Sequence, residues 1–350
     1  MEIRISRLKR FLNVFTLYSL CTVAVITTYV FQVGDDNYYA GMQQWSMDTL
    51  CLVILIAGLL LIILIAAQTK GMPSDFFLVF YSSIVVLSFL TLNSSSGAID
   101  GLQLLFSFQL ILLPLVAAWI VGKLNFRLSI KGLLSPKAVE WIIFGIVLAV
   151  AALAARNPPA SAGMDLAVAG DRRMEGRDLY EAGSFMAYAL SMTMNGLAPF
   201  LGYKAGVFNR KWLLAVVLGF DVLFFWLIGM KAPFLYALLA YFMGMMVARN
   251  KHGNFTIYFL CAILLLFGLN LIEWHYFDYS LISDFFFRRV FAVQAQIQGY
   301  YLDFIMGSGT PSWNILTGSA GSAFQPTFYI GEFYFGDAEA NANTNAFLYA

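Results

Sequence analysis

The sequence predicts an all-α, polytopic membrane protein, and three observations carry that prediction. Apolar runs of about twenty residues recur along the chain, each long enough for a helix to cross the hydrocarbon core of a bilayer. Of the 350 residues, 60% are hydrophobic and 12% charged, about half the charge fraction of a soluble domain. The Lys and Arg residues divide unevenly between alternate connecting segments, the pattern left by the positive-inside rule. A net charge of +1 carries no footprint of nucleic-acid binding, and no nucleic-acid partner is expected.

Taken in order, nine spans are expected. The first, 11–31, follows the basic start MEIRISRLKR and runs into TTYVFQVGDD. No small-residue cleavage site follows it, so it reads as a retained span rather than a signal peptide. The next four lie at 48–67, 74–92, 101–122 and 138–155, and Pro158 and Pro159 stop the fifth. The sixth, 184–203, carries Ser184, Ser191, Thr193 and Asn195 and is polar for a lipid-facing helix. A place inside the bundle or along a cavity suits it better. The seventh and eighth, 212–230 and 232–248, meet at Met230-Lys231-Ala232 as a tight hairpin, and the ninth covers 254–272. Residues 273–350 hold no obvious span. The three cysteines, Cys21, Cys51 and Cys261, all fall in apolar runs, which suggests neither a disulfide nor a thiolate metal site.

The basic residues orient this map. With the N-terminus inside, the inner segments hold fourteen of the 21 Lys and Arg residues and the outer segments seven. The first two outer loops have only Asp35, Asp36 and Asp100 as charges. The outer cations therefore gather in two places, apart from Arg156 and Lys231 at helix ends. The chain divides accordingly into a helical bundle, 1–272, which includes an outer loop at 156–183, and a terminal outer segment, 273–350. Either these long segments simply carry solvated charge, or their arginines converge on a polyanionic substrate at the outer membrane–water boundary.

The outer loop begins with the turn-rich RNPPASAGMDLAVAG and then packs Asp171, Arg172, Arg173, Glu175, Arg177 and Asp178 into eight residues. Arginine clamps phosphate oxygens with a planar fork of donors, so Arg172, Arg173 and Arg177 are candidate binding residues. The interleaved acids either orient those arginines, supply a base (Glu175 or Asp178), or form surface ion pairs of little energetic weight.

In the terminal segment 20 of 78 residues are Phe, Tyr or Trp. That density calls for packing on the bundle, lying along the membrane surface or lining a groove. A helix is expected over 281–306. On it, Arg288 and Gly299 are eleven residues apart. About 100° per residue returns both to one face, about 16 Å apart. Gly299 then permits close approach of another helix or of a lipid-linked substrate, and Arg289 points to a different contact. Gly307-Ser308-Gly309-Thr310-Pro311 ends the helix, and no Walker lysine follows that glycine-rich run.

Three groups in or near the spans complete the candidates. Asp221, mid-way along the seventh span, should face the protein interior or a wet cavity, as a hydrogen-bonded structural residue or as a functional one. Lys231 either snorkels to the interface or meets lipid head groups or a diphosphate. His275 is the single outer histidine. It is either a base or part of an interfacial belt with Trp274, Tyr276 and Phe277. His252 lies on the inner side and reads as inert. No histidine pair or tight acidic spacing suggests a metal.

With these features in place, the chain resembles the bacterial O-antigen polymerases of the Wzy type. The likeness rests on the span layout, the two basic outer segments, the arginine-x10-glycine pattern at Arg288 to Gly299, and the asparagine-rich ending with Asn341, Asn343, Thr344 and Asn345. The resemblance implies a GT-C-like helical bundle in the bacterial inner membrane with its N-terminus cytoplasmic and its outer segments periplasmic. It implies a metal-independent glycosyltransferase without cofactor. Donor and acceptor would both be undecaprenyl-diphosphate-linked glycans, membrane lipid would surround the site, and a chain-length regulator protein would be a partner. It implies a catalytic role for Arg288, with Arg289, Arg172, Arg173 and Arg177 as weaker carriers of the lipid diphosphate. The base stays open among His275, Glu175, Asp178 and Glu332. Such proteins continue into further helices at the point matching Ala350, so the resemblance implies a continuation of the chain or a last span within 324–350. An O-antigen ligase, which transfers finished glycan to lipid A core, and a polysaccharide or lipid-linked sugar transporter are the alternatives.

Overall fold

The computed structural model describes residues 2–34, 46–70, 73–95, 100–124, 135–165 and 184–308, with isolated positions at 168, 172, 175–176, 179–180, 330 and 332–333. These residues form helices and turns. Helix α1 covers Glu2–Thr28 and runs on through a π-helical stretch at Tyr29–Val33, and α2 is Thr49–Ala67. Helix α3 joins Pro73–Phe80, a π segment at Tyr81–Val86 and Leu87–Ser95, and α4 is Gly101–Lys123. Helix α5 is Pro136–Arg156, and α6 joins Phe185–Met192, a π segment at Thr193–Leu197 and Ala198–Val207. Helices α7, α8 and α9 are Lys211–Ile228, Ala232–Ala248 and Phe255–Phe277. Helix α10 follows directly, π-helical over Ser283–Ala292 and α-helical over Val293–Ser308.

Each of the nine expected spans is a helix. Among the described residues, seven are long and apolar enough to cross a membrane, namely α1 to α5, α7 and α9. Helix α8 is shorter, and the polar α6 is not among the seven. Local chemistry sets several starts. Asp48 accepts from the Cys51 N–H at 2.6 Å at the start of α2. Asp100 and Gln103 form a reciprocal capping box at α4. Ser135 caps α5 with Pro136 just inside the helix, and Ser184 caps α6. Gly229 closes α7 in the left-handed conformation, φ 67°, with its N–H on the Phe225 carbonyl.

The chain divides into two compact units, residues 1–125 with 256–350, and residues 126–255. In the first, α3 is central: 72% of its span is buried, against 44% for α2 and 28% for α4. Its buried polar residues explain that position. Ser82 and Ser83 lie 2.7 and 2.9 Å from the Tyr18 hydroxyl of α1, contacts with no substitute in lipid. Leu52, Val53, Ile56 and Leu60 of α2 are exposed, an apolar face suited to acyl chains.

In the second unit α6 and α8 approach at backbone distance. A Cβ on Gly206 would collide with the Tyr241 carbonyl, one on Gly244 with the Tyr203 carbonyl, and one on Gly202 would come within 2.9 Å of the Ala237 carbonyl. Small residues at such spacing let membrane helices pack closely without a hydrophobic driving force. Gly202-x3-Gly206 is the sequence signal for it.

Candidate functional site

The loop after α5 is built around two side chains. Glu175 accepts from the Ala160 N–H at 2.6 Å, from the Ser161 N–H at 2.9 Å and from the Ser161 hydroxyl. These bonds, the hydroxyl first, hold its carboxyl below the ordinary carboxylate value. Arg172 is fully buried. Its terminal nitrogens donate to the carbonyls of Gly163 and of Asp165, and its guanidinium carbon lies 5.2 Å from the centre of the Phe225 ring. The Gly163 N–H donates to the Trp226 carbonyl at 3.0 Å, and the Tyr180 hydroxyl to the Ala154 carbonyl at 3.3 Å. A Cβ on Gly176 would stand 2.9 Å from Ile228. The loop is thus stapled onto the ends of α5 and α7, just before Lys231, which is exposed.

This geometry changes the reading of two candidates. The terminal donors of Arg172, expected to meet a substrate, are directed at the loop's own carbonyls. Glu175, a candidate base, is a stabilised anion tied to three donors, which lowers its appetite for a proton. Arg173, Arg177 and Asp178 lie outside the described residues.

The terminal segment starts differently. Asp278 makes the turn after α9 in the left-handed region, φ 52°, where Asp and Asn are tolerated. Ser280 caps α10 by accepting from the Ser283 N–H at 3.1 Å. Glu273 accepts from the Ser280 hydroxyl at 2.7 Å and the Ile282 N–H at 3.1 Å, and Asn270 donates to Gln32 at 2.8 Å. These bonds fix where α10 begins. Phe287 and Phe291 are buried and their rings lie 5.3 and 5.7 Å from Phe267 of α9. The helix therefore packs on its own bundle, one of the three placements the aromatic count allowed.

On this helix the Arg288 Nε is 2.7 Å from Asp284 Oδ1, with 23% of the arginine side chain accessible, and Arg289 is exposed. Asp284 is a partner the sequence reading missed, although an acid four residues before an arginine is a known helical pair. The expected helix over 281–306 is present, but its π-helical opening has wider turns than an α-helix. The count of about 100° per residue therefore does not extend from Arg288 to Gly299. Gly299 is buried, and a Cβ there would lie 2.5 Å from Asn93 Oδ1 of α3. Of its two expected partners, a helix or a lipid, the structure provides the helix. Asn93 donates to the Ala295 carbonyl at 3.0 Å across the same contact.

His275, expected just beyond the ninth span, lies on the last turn of α9 and is exposed, its ring 5.4 Å from Tyr276. Trp274, Tyr276, Phe277 and Tyr279 are exposed around it, the composition of an interfacial belt. Glu332 is exposed, and Asp221 is fully buried on α7 with neither carboxylate oxygen hydrogen-bonded. Among the described residues no group of three His, Cys, Asp or Glu is placed to hold a metal. The two arginine clusters belong to different units.

The apolar helices and their exposed apolar faces define a multi-pass α-helical membrane protein. No protein-family model matches the chain, and no curated protein or solved structure matches it significantly.

Proposed function

We propose that this protein is a polyprenyl-diphosphate-dependent glycosyltransferase that polymerises lipid-linked oligosaccharide repeat units at the periplasmic face of a bacterial inner membrane, within a GT-C-like bundle. One observation carries the reading. An arginine pair stands at the start of a helix clamped to the end of a spanning helix, with Arg288 oriented by Asp284 at 2.7 Å and Arg289 exposed beside it. Fixed guanidinium groups at a membrane boundary suit a lipid diphosphate and need little reorganisation as charge develops. In the reaction the acceptor hydroxyl oxygen bonds to the anomeric carbon of the donor. The bond from that carbon to the diphosphate breaks, its electron pair leaves on the diphosphate oxygen, and the hydroxyl proton passes to a base. His275 is the accessible imidazole among the described residues. A chain-length regulator is the protein partner this reading calls for.

Gene deletion followed by analysis of the surface glycan tests the class. A core bearing one repeat unit is expected; core without glycan, with polymer kept on the carrier, indicates a ligase. Arg288→Ala should reduce polymer by about tenfold or more, the loss of roughly one charged hydrogen bond, with Arg288→Lys intermediate. Normal polymer at normal protein level sinks the role of Arg288.

Asp221 favours a second reading, coupled transport. A buried carboxylate without hydrogen bonds is costly in a spanning helix and marks ion pathways. Loss of function in Asp221→Asn, alongside an active Arg288→Ala, selects that reading.

A further inference from the structure

The ends of α1 to α4 that carry Arg10, Lys70, Asp75 and Lys123 line a cavity of about 640 Å³ in the first unit, within the range of small-molecule sites. It lies at the opposite end of these helices from α10. Arg10 lies toward the N-terminal end of α1, whereas Gln32, in the π-helical stretch that continues its other end, meets Asn270 beside the start of α10. Three cations line the cavity, Arg10, Lys70 and Lys123, together with one carboxylate, Asp75, so the lining groups sum to two positive charges.

The polar geometry is preorganised but incomplete. Arg10 donates through Nη2 to Thr69 Oγ1 at 3.1 Å, and Thr69 Oγ1 lies 2.9 Å from Thr256 Oγ1. Lys123 donates to Gln68 Oε1 at 3.0 Å and sits 3.5 Å above the Trp119 ring. Asp75 accepts from the Lys70 backbone N–H at 2.6 Å. Two buried donors remain without an acceptor: Nε of Arg10 and the indole Nε1 of Trp119. Buried N–H groups are ordinarily paired, and an orphan calls for an explanation. Neither atom has surface open to the cavity, so the case for an anion there rests on the lining charges Arg10, Lys70 and Lys123. Phe11, Leu64 and Leu78 supply apolar wall, and the cavity opens where four spanning helices begin or end.

We propose that this cavity binds a ligand with a phosphate monoester or diphosphate head. Such a head carries about two negative charges, matching the lining, and presents several acceptor oxygens to Arg10, Lys70 and Lys123. The apolar wall takes the first carbons of a lipid tail. A neutral or zwitterionic head leaves the two positive charges unanswered.

The test uses the purified full chain in detergent and native mass spectrometry with dioleoyl phosphatidic acid, dioleoyl phosphatidylcholine as control, and inorganic pyrophosphate as competitor. One saturable phosphatidic acid adduct is expected, weakened about tenfold in Lys123→Gln and in Arg10→Gln. Lys123 is exposed, so Lys123→Gln keeps the fold even where Arg10→Gln does not. Phosphatidic acid binding that millimolar pyrophosphate leaves intact assigns the site to a lipid head; displacement by pyrophosphate assigns it to a soluble phosphate. Equal binding of phosphatidylcholine, or unchanged affinity in Lys123→Gln, overturns the proposal.

Discussion

Two arginines that look interchangeable in the sequence are used in opposite ways. Arg172, in the loop after α5, has no accessible surface, and its guanidinium points inward to the carbonyls of Gly163 and Asp165. Arg288, near the start of α10, is braced by an acid one helical turn earlier and keeps part of its surface open beside the exposed Arg289. The difference comes from the local backbone. A turn-rich loop over helix ends exposes carbonyls that no helix satisfies, and a guanidinium with five donors meets that need. A helix satisfies its own carbonyls, so its arginine turns to a neighbouring acid and to whatever lies outside. An arginine-rich loop of a membrane protein is therefore as much a folding device as a ligand clamp.

The largest expected effect follows from Arg172. Its truncation in Arg172→Ala removes two charge-assisted hydrogen bonds and the packing of a fully buried side chain, a cost of about 3 kcal/mol. Thermal unfolding in detergent, together with limited proteolysis of the loop, should show a large drop. Arg288→Ala, by contrast, loses a partly exposed ion pair worth about 1 kcal/mol or less, so its thermal midpoint should stay close to wild type. Equal stability losses in the two variants break the comparison.

Gly299 comes next. Alanine there drives a methyl group against Asn93, across the contact where Asn93 also donates to the Ala295 carbonyl. Overpacking of this kind costs about 1–3 kcal/mol. The same measurement should place Gly299→Ala between Arg172→Ala and Arg288→Ala. A neutral effect would show that α10 yields easily at this crossing, and the rigid mounting of Arg288 would lose its support.

How much of this was legible beforehand depends on the range of the interactions. The nine helices were, because runs of apolar residues and breaks such as Pro158-Pro159 act locally. So was the helix bearing Arg288, its bounds differing by two residues at the C-terminal end. The burial of Arg172 was not, because it needs Phe225 from α7 and carbonyls seven and nine residues away. The π-helical opening of α10 escaped a count that assumes α geometry. Arg10, Lys70 and Lys123 served only to orient the chain, since nothing local brings three basic residues from three separate segments around one cavity. The close α6–α8 crossing was visible in principle, through Gly202 and Gly206, but a span judged only by its polarity hides its small residues.

A final test of the loop is its response to acid. Glu175 ties the loop to Ala160 and Ser161, and its carboxyl is held below its ordinary value of 4.5 by the Ser161 hydroxyl and the two backbone N–H groups. A carboxyl whose folded value is depressed contributes stability that is fully present above the ordinary value and lost as pH falls through the depressed one. The loop should therefore become more susceptible to an acid-active protease such as pepsin as the pH drops below about 4.5. The start of α10 also rests on a carboxylate, Glu273, which accepts from the Ser280 hydroxyl and the Ile282 N–H, so acid bears on both regions and the Glu175→Gln variant isolates the loop's share. Glu175→Gln should show the loosened loop already at neutral pH, and its cleavage should vary less with acid. If wild type and Glu175→Gln are cleaved alike at pH 7 and respond alike to acid, Glu175 is not the tie, and Arg172 with the Gly163–Trp226 and Tyr180–Ala154 bonds holds the loop on its helices.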